Sequence, residues 1–447
     1  MRSVSWGLGI VGLASHASLD RLPIRMESVR GWVLLHSGGP AMTKILAFAD
    51  LHMGAGSGYS DDRLADQEAV LNQIVKLCRD DIDLVLLAGD IFHRPKPAPA
   101  TLLAFRRFVD KLADLEVPCI ACRGNVGHDQ EGFDRPCALD LFESRLFRVS
   151  SRPELITEFA GVAVATLPSV PVSRLVAGAE SSERGPVFVQ AAEALLAVAR
   201  ELYREAQSSF IVDEQQWKAT PGTASTSVRP TILMGHWSLS GASLPNGLPV
   251  ADLAEPILDL GALEEIGYDA MVFGHIHNPQ PLGRNGFYCG SPLPVDFGEA
   301  DVDHGVRIFD FDHTNRFVPL ASRSFVTIDY DFGSVAYGLD LDETDELAAA
   351  IAEHFPLTDA VVRLRYRATE EQHRRIDTAA VKKLIMDAGA HRIYQVAPEI
   401  VREDRARVAG VDENLAPEAA LEAWCAANEI GGKMRADLAE LLADGAA

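Results

Sequence analysis

Residues 84–95 read LVLLAGDIFHRP. Leu84–Ala88 is an unbroken apolar run, the pattern of a strand buried on both faces rather than one alternating between core and solvent. It stops at Gly89-Asp90, a residue that frees the backbone followed by a carboxylate. The same figure recurs along the chain. Lys44–Ala49 leads to Asp50-Leu51-His52, Thr231–Met234 to Gly235-His236, and Ala270–Phe273 to Gly274-His275-Ile276-His277. Cys119–Cys122, shorter and more mixed, leads to Gly124-Asn125. Gly-Asp and Gly-His dipeptides are common by chance, so no single motif is specific; the ordered set is. In an open α/β sheet the loops at the carboxyl ends of strands converge on one crevice. Here those ends carry two Asp, one Asn and four His.

Those are the oxygen and nitrogen donors that two adjacent divalent cations need. Asp50 and His52 differ by two, so on an extended strand end both point the same way. A carboxylate placed centrally, as Asp90 is, bridges two ions. Two cations about 3.5–4 Å apart clamp a phosphoryl group and activate a water. Mixed carboxylate and imidazole donors without thiolate suit manganese or iron better than zinc. The implied reaction is hydrolysis of a phosphoester by a metal-activated hydroxide. No Ser-His-Asp or Cys-His arrangement competes.

Around these ends the pattern alternates strand and helix. Helical spacing marks Arg63–Cys78 and Val187–Ala206, and Pro99 opens a helix through Leu115. Ala138–Phe142 reads as a short helix, and the Thr/Ser-rich stretch up to Arg229 as a loop. The reading is an α/β domain over residues 42–323. A second unit over 324–400 alternates strand and helix as a small α+β cap. Residues 401–447 read as a linker and two short helices, too poor in apolar residues to stand alone. Residues 1–41 imitate a signal peptide badly, with one early charge and a short apolar stretch. They read as a poorly ordered extension upstream of the natural start.

Bulk properties bound the function. Hydrophobic residues make up 47% and charged residues 23% of 447, so a large core is available. The net charge of −23 argues against a uniformly basic nucleic-acid binder. The charge is uneven, though: residues 360–410 hold eleven Lys and Arg against seven Asp and Glu. Of six cysteines only Cys119 and Cys122 are close, and a structural zinc site would want a second pair. Reduced thiols in a cytoplasmic protein are the expectation, and no apolar run reaches membrane-span length. His304, His313, His354, His373 and His391 read as surface or cap residues.

The motif set resembles the calcineurin-like metallophosphoesterase superfamily, and more narrowly its SbcD-type DNA-repair nucleases. Gly89-Asp90-Ile91-Phe92-His93-Arg94-Pro95 carries the narrower likeness. So does Gly290-Ser291-Pro292 through Asp296-Phe297-Gly298-Glu299, together with the cap that follows. The resemblance covers roughly Met42 to Val396. It implies a β-sandwich flanked by helices and a capping domain. It also implies that Asp50, His52, Asp90 and His277 hold one metal, and Asp90, Asn125, His236 and His275 the other. His93 would lie beside the site and assist with the DNA end. The implied partners are DNA, an SbcC-like ATPase docked on the tail helices, and a second copy of the chain. The implied homodimer would use Pro99–Leu115 and Pro136–Phe147.

One departure matters. The family places a histidine directly after the Asn ligand, where it serves as general acid. Here the run is Gly124-Asn125-Val126-Gly127-His128-Asp129. Either the loop bulges and His128 returns to that role, or the acid is lost; Gly127 makes a bulge cheap. Three functions therefore compete. They are a DNA exonuclease/endonuclease subunit of an SbcCD-like double-strand-break repair complex, a metallophosphoesterase acting on a nucleotide or phosphoprotein, and a catalytically impaired scaffold.

Overall fold

A computed structural model describes residues 43–56, 63–132, 134–176, 184–217, 229–312, 314–333, 342–401, 416–428 and 430–445. The expectation for residues 1–41 lies outside the described residues, as does His313. In chain order the strands are β1 (Ile45–Phe48), β2 (Leu84–Ala88), β3 (Cys119–Cys122), β4 (Phe147–Ser150), β5 (Glu154–Ile156), β6 (Ala163–Leu167), β7 (Thr231–His236), β8 (Ser238–Leu239), β9 (Ile257–Leu258), β10 (Ala270–Gly274), β11 (Gln280–Leu282), β12 (Gly286–Tyr288), β13 (Gly305–Phe309) and β14 (Asn315–Pro319). A last group comprises β15 (Phe325–Asp331), β16 (Val361–Thr369) and β17 (Arg392–Val401).

Contacts divide the chain into two units. The first comprises residues up to Thr327 with Asp359–Val361. It is a sandwich of two sheets, ordered β14-β13-β1-β2-β3-β4 and β11-β12-β10-β7-β6-β5. Strands β1 to β4 run parallel in one sheet, and β6, β7, β10 and β12 run parallel in the other. Antiparallel β13 and β14 close one edge of the first sheet.

The continuous apolar runs are explained by this layering. Ile45, Ala47, Leu84, Leu86 and Ile120 face Val164, Ile232, Met234 and Val272 across the sandwich interior. The alternate residues Leu46, Val85 and Leu87 face outward onto the helices Arg63–Cys78 and Pro99–Asp114, through Val70, Ile74, Phe105 and Phe108. Successive strand side chains point to opposite faces, and both faces are covered, so no polar alternation survives. On the far side, the helix Arg184–Trp217 covers Leu233, Met271 and Phe273 with Leu195, Val198 and Leu202. The architecture is thus helix, sheet, sheet, helix: a mixed α/β sandwich flanked by helices, as the resemblance implied.

Two local expectations are corrected. The stretch after Ala206 is helix as far as Trp217, and residues 218–228 lie outside the described residues. Ser208 Oγ donates back to the Glu205 carbonyl (2.9 Å) within the helix, and the sequence Glu214-Gln215-Gln216 is made of good helix formers. Asp50 and His52 do not continue an extended strand. β1 ends at Phe48, and both residues lie in the left-handed region, at φ 52° and 44°.

The second unit comprises Ile328–Thr358 and Val362–Ala447. Its three-stranded sheet has the order β15-β16-β17. Helices Glu343–Ala352 and Thr378–Asp387 supply the buried residues Leu347, Ile351, Val381 and Ile385, alongside buried Leu364 and Tyr366 of β16. Helices Pro417–Ala427 and Gly432–Gly445 follow, with Cys425 buried but Trp424, Met434 and Leu441 exposed. Among the described residues no helix is long and apolar enough to cross a membrane.

Candidate metal centre

The loops leaving β1 and β2 run side by side past the sheet. Asp50 N donates to the Gly89 carbonyl (3.0 Å), His52 N to that of Asp90 (2.9 Å) and Met53 N to that of Ile91 (2.8 Å). Asp90 itself sits at φ 49°. Its Oδ1 accepts the backbone N–H of Asn125 at 2.6 Å, which ties the β3 loop to the β2 loop. His275 N donates to both carboxylate oxygens of Asp50 at 3.0 Å, which ties in β10 from the opposite sheet. Two glycines are required by this crowding. Gly89 adopts φ +90°, and a Cβ there would strike the His236 imidazole; a Cβ on Gly124 would overlap the Asp90 carboxylate and backbone.

All nine residues singled out in the sequence come together. His52 Nε2 and His277 Nε2 lie 3.2 Å apart. Asp90 Oδ2 is 3.7 Å from His52 Nε2, 3.4 Å from His236 Nε2 and 3.9 Å from His128 Nε2. Asp50 Oδ1 is 3.8 Å from His277 Nε2 and 3.9 Å from His236 Nε2. The Asn125 amide lies 3.1 Å from His275 Nδ1. Ser169 Oγ holds the other end of that amide at 3.0 Å, and a hydroxyl satisfies either amide orientation. Donor atoms of Asp50, His52 and His277 cluster within 4.8 Å of one another, as do those of Asp50, Asp90 and His236, and those of His52, His93 and His128.

This donor set fits cations. Ligand atoms about 2.1 Å from one octahedral ion stand about 3 Å apart across a right angle. The His52–His277 and Asn125–His275 separations have that size. His236 is fully buried and gives Nδ1 to the Ala88 carbonyl (2.7 Å), while its Nε2 has no hydrogen-bond partner among the described residues. An orphaned ring nitrogen facing two carboxylates is costly in a core and apt for a metal.

The electrostatics agree. Burial alone would raise the Asp90 carboxyl, but the charge of His236, with that of His52 and His128, holds it far below the carboxylate range. Burial raises Asp50 despite the histidines around it. His236 would be lowered by burial, but Asp90 and Asp50 raise it to about 10. His277 is likewise raised to about 9, by its Glu299 hydrogen bond and the charge of Asp50. Burial, and then neighbouring imidazoles, keep His52 well below its usual value despite Asp90.

The Asn125–His128 insertion folds back as a bulge. His128 N donates to the Asn125 carbonyl (3.1 Å) and Gly127 N to that of Gln130 (2.9 Å), with Gly127 at φ +103°. His128 Nδ1 pairs with the His93 carbonyl at 2.9 Å, and its ring stands 4.6 Å from that of His52. The His93 ring is 5.5 Å from that of His128. Buried Asp129 pins the base of the bulge, accepting from Phe92 N (2.7 Å) and Gly124 N (2.8 Å). Burial, then the charge of Asp90, raises its carboxyl to about 6.

Sequence reasoning assigned no role to Glu255, Glu299 or His304. Glu255 Oε1 meets His275 Nε2 at 2.7 Å and Glu299 Oε1 meets His277 Nδ1 at 2.5 Å. His304 is no surface residue; it is wedged between the Ser291 and Glu299 carbonyls, at 3.2 and 3.1 Å. Glu299 had a signal, its place in Asp296-Phe297-Gly298-Glu299. Glu255 had none.

A family model described as "Calcineurin-like phosphoesterase" matches residues 43–279, more than half of the chain. The SbcD subunit of nuclease SbcCD from Escherichia coli strain K12 is 25% identical over 275 residues, 60% of this chain and 65% of that protein. DNA double-strand break repair protein Mre11 of Haloferax volcanii is 25% identical over 355 residues, 78% of this chain and 66% of that protein. Mre11 of Aeropyrum pernix is 29% identical over 136 residues, 28% of this chain and 33% of that protein. The chain thus spans just under two thirds of the length of the first two relatives.

Proposed function

The chain belongs to the calcineurin-like phosphoesterase family, metal-dependent hydrolases with a dinuclear centre, and from that premise we propose that it is a DNA nuclease subunit. It would cleave phosphodiester bonds in an SbcCD-like double-strand-break repair complex, in company with an SbcC-like ATPase. The observation that carries the reading is the Asp90 carboxylate, set between His52 and His236 and bound to the Asn125 backbone. Asp50, His52, Asp90 and His277 would hold one cation; Asp90, Asn125, His236 and His275 would hold the other. The preference for nitrogen and carboxylate donors points to manganese. Two bound cations would supply Lewis-acid stabilisation of the phosphoryl oxygens and an activated water as nucleophile.

The chain's own residues supply the rest. His128, with Nδ1 engaged by the His93 carbonyl, keeps Nε2 for the leaving oxygen and acts as general acid. His93 lies beside it and helps place the DNA end. Exposed Arg94 on the same loop suits a phosphate backbone. Residues 42–323 would form the nuclease domain, 324–400 the cap and 401–447 the segment that docks on the ATPase. A homodimer would form through Pro99–Leu115 and Pro136–Phe147.

The deciding experiment is cleavage of linear duplex DNA with manganese, with and without an SbcC-type ATPase. Metal-dependent cleavage of DNA, enhanced by the ATPase, is the expected result. Hydrolysis of nucleotides or phosphoproteins with DNA untouched would transfer the assignment to a different phosphoesterase. Failure on every phosphoester would leave a scaffold.

A further inference from the structure

His275 and His277 are two residues apart, yet the structure holds them by opposite ring nitrogens. His275 engages Glu255 through Nε2, which leaves Nδ1 turned toward the Asn125 amide. His277 engages Glu299 through Nδ1, which leaves Nε2 turned toward His52 and Asp50. A neutral imidazole offers a lone pair only at the nitrogen that carries no proton. A carboxylate on one N–H therefore dictates which nitrogen is free to bind a metal.

Both carboxylates are themselves held in place. Glu299 is buried, and its Oε2 accepts from Ser291 Oγ and Val295 N at 3.0 Å each. Glu255 accepts from Ser238 Oγ as well as from His275. Neither glutamate is among the seven donors.

We propose that Glu255 and Glu299 are positioning residues that commit His275 to Nδ1 and His277 to Nε2, one glutamate serving each cation of the pair. The proposal rests on the two-ion reading above. It makes the two sites separable: Glu299 governs the ion of His52 and His277, and Glu255 that of Asn125 and His275. Losing such a partner lowers metal affinity by about 10–100-fold.

The test is calorimetric titration of the metal-free protein with manganese, for the wild type, Glu255→Gln and Glu299→Gln. It is paired with ¹⁵N-histidine NMR of the zinc-loaded protein, which reports the protonated nitrogen of each ring. The wild type should bind two manganese ions and show His275 protonated at Nε2 and His277 at Nδ1. Each Gln variant should lose affinity at one site, about 10–100-fold, and keep the other. Wild-type affinities in both variants would overturn the proposal. So would the reverse protonation pattern in the wild type, which needs no variant to fold. A wild type that takes up no manganese would instead bring down the two-ion reading, and the proposal with it.

Discussion

Replacing His128 by alanine tests the bulge most sharply. A histidine moved two positions along an extended chain travels up to about 7 Å, too far to protonate a leaving oxygen. The structure cancels that displacement: His128 Nε2 stands 3.9 Å from Asp90 Oδ2, and its ring 4.6 Å from that of His52. An acid–base residue contributes about 10²–10⁴-fold, which at about 1.36 kcal/mol per decade is about 2.7–5.5 kcal/mol of barrier. Turnover of DNA by His128→Ala should fall by that factor, with manganese affinity unchanged because His128 is not one of the proposed ligands. A substrate whose leaving group needs no proton, such as a nitrophenyl phosphodiester, should lose far less. Gly127→Val should reproduce the defect in milder form. The space beside Gly127 is open, so the substitution acts only through the φ of +103°, a strain of about 1–3 kcal/mol for an L-residue. DNA turnover by His128→Ala within a few-fold of wild type would refute the argument, whatever the metal ligands do.

Asp90→Ala should abolish binding of two manganese ions and all hydrolysis, including that of a model phosphodiester; near-normal manganese-dependent cleavage would show the two-ion assignment to be wrong. Truncation after Gly410 removes both tail helices, with exposed Trp424 and Leu441. It should end co-purification with an SbcC-type ATPase while sparing small-phosphodiester hydrolysis, and unchanged co-purification counts against the docking role. Leu103 and Leu141 are 59% and 65% exposed; Leu103→Glu with Leu141→Glu should turn a dimer into a monomer by light scattering, and a wild type already monomeric at micromolar concentration rejects the dimer. Metal uptake should also release protons. His236 and His277, raised to about 10 and about 9, are protonated in the metal-free protein at pH 7, so binding must expel those protons. Apparent affinity should rise with pH up to about 9 and level off above about 10, and heats of binding independent of buffer ionisation enthalpy would contradict this.

What was legible in the sequence is the part that repeats with a short period or follows a strand. Leu84–Ala88 and Thr231–Met234 announce doubly buried strands because layers on both faces leave no room for polar alternation. The candidate donors Asp50, Asp90, His236 and His275 stand out because they sit just after such runs. What was hidden has no local period. Glu154–Ile156 and Gln280–Leu282 are three-residue edge strands, too short for alternation to register. Glu255 reaches His275 across twenty residues of chain from a loop with no motif. The closure of the Asn125–His128 insertion depends on Asp129 binding Phe92 N, a tertiary contact that no neighbour in sequence reports.

The backbone carries a further sign of function that the sequence could not display. Among the described residues, eight that are not glycine have positive φ, and four of them are Asp50, His52, Asp90 and His275. Such residues are uncommon, and the left-handed conformation costs an L-residue about 1–2 kcal/mol. Half of this strain is thus concentrated in one cluster. It is held there by bonds already described: Asp50 N to Gly89, His52 N to Asp90, Asn125 N to the Asp90 carboxylate, and His275 N to the Asp50 carboxylate. The last two tie four loops, those after β1, β2, β3 and β10, by the very carboxylates that would bind metal. Glycine at these four positions would relax the backbone and remove four of the seven candidate donors. The side chains stand there against local preference, which is what a site selected for its donor atoms, rather than for its contribution to the fold, looks like.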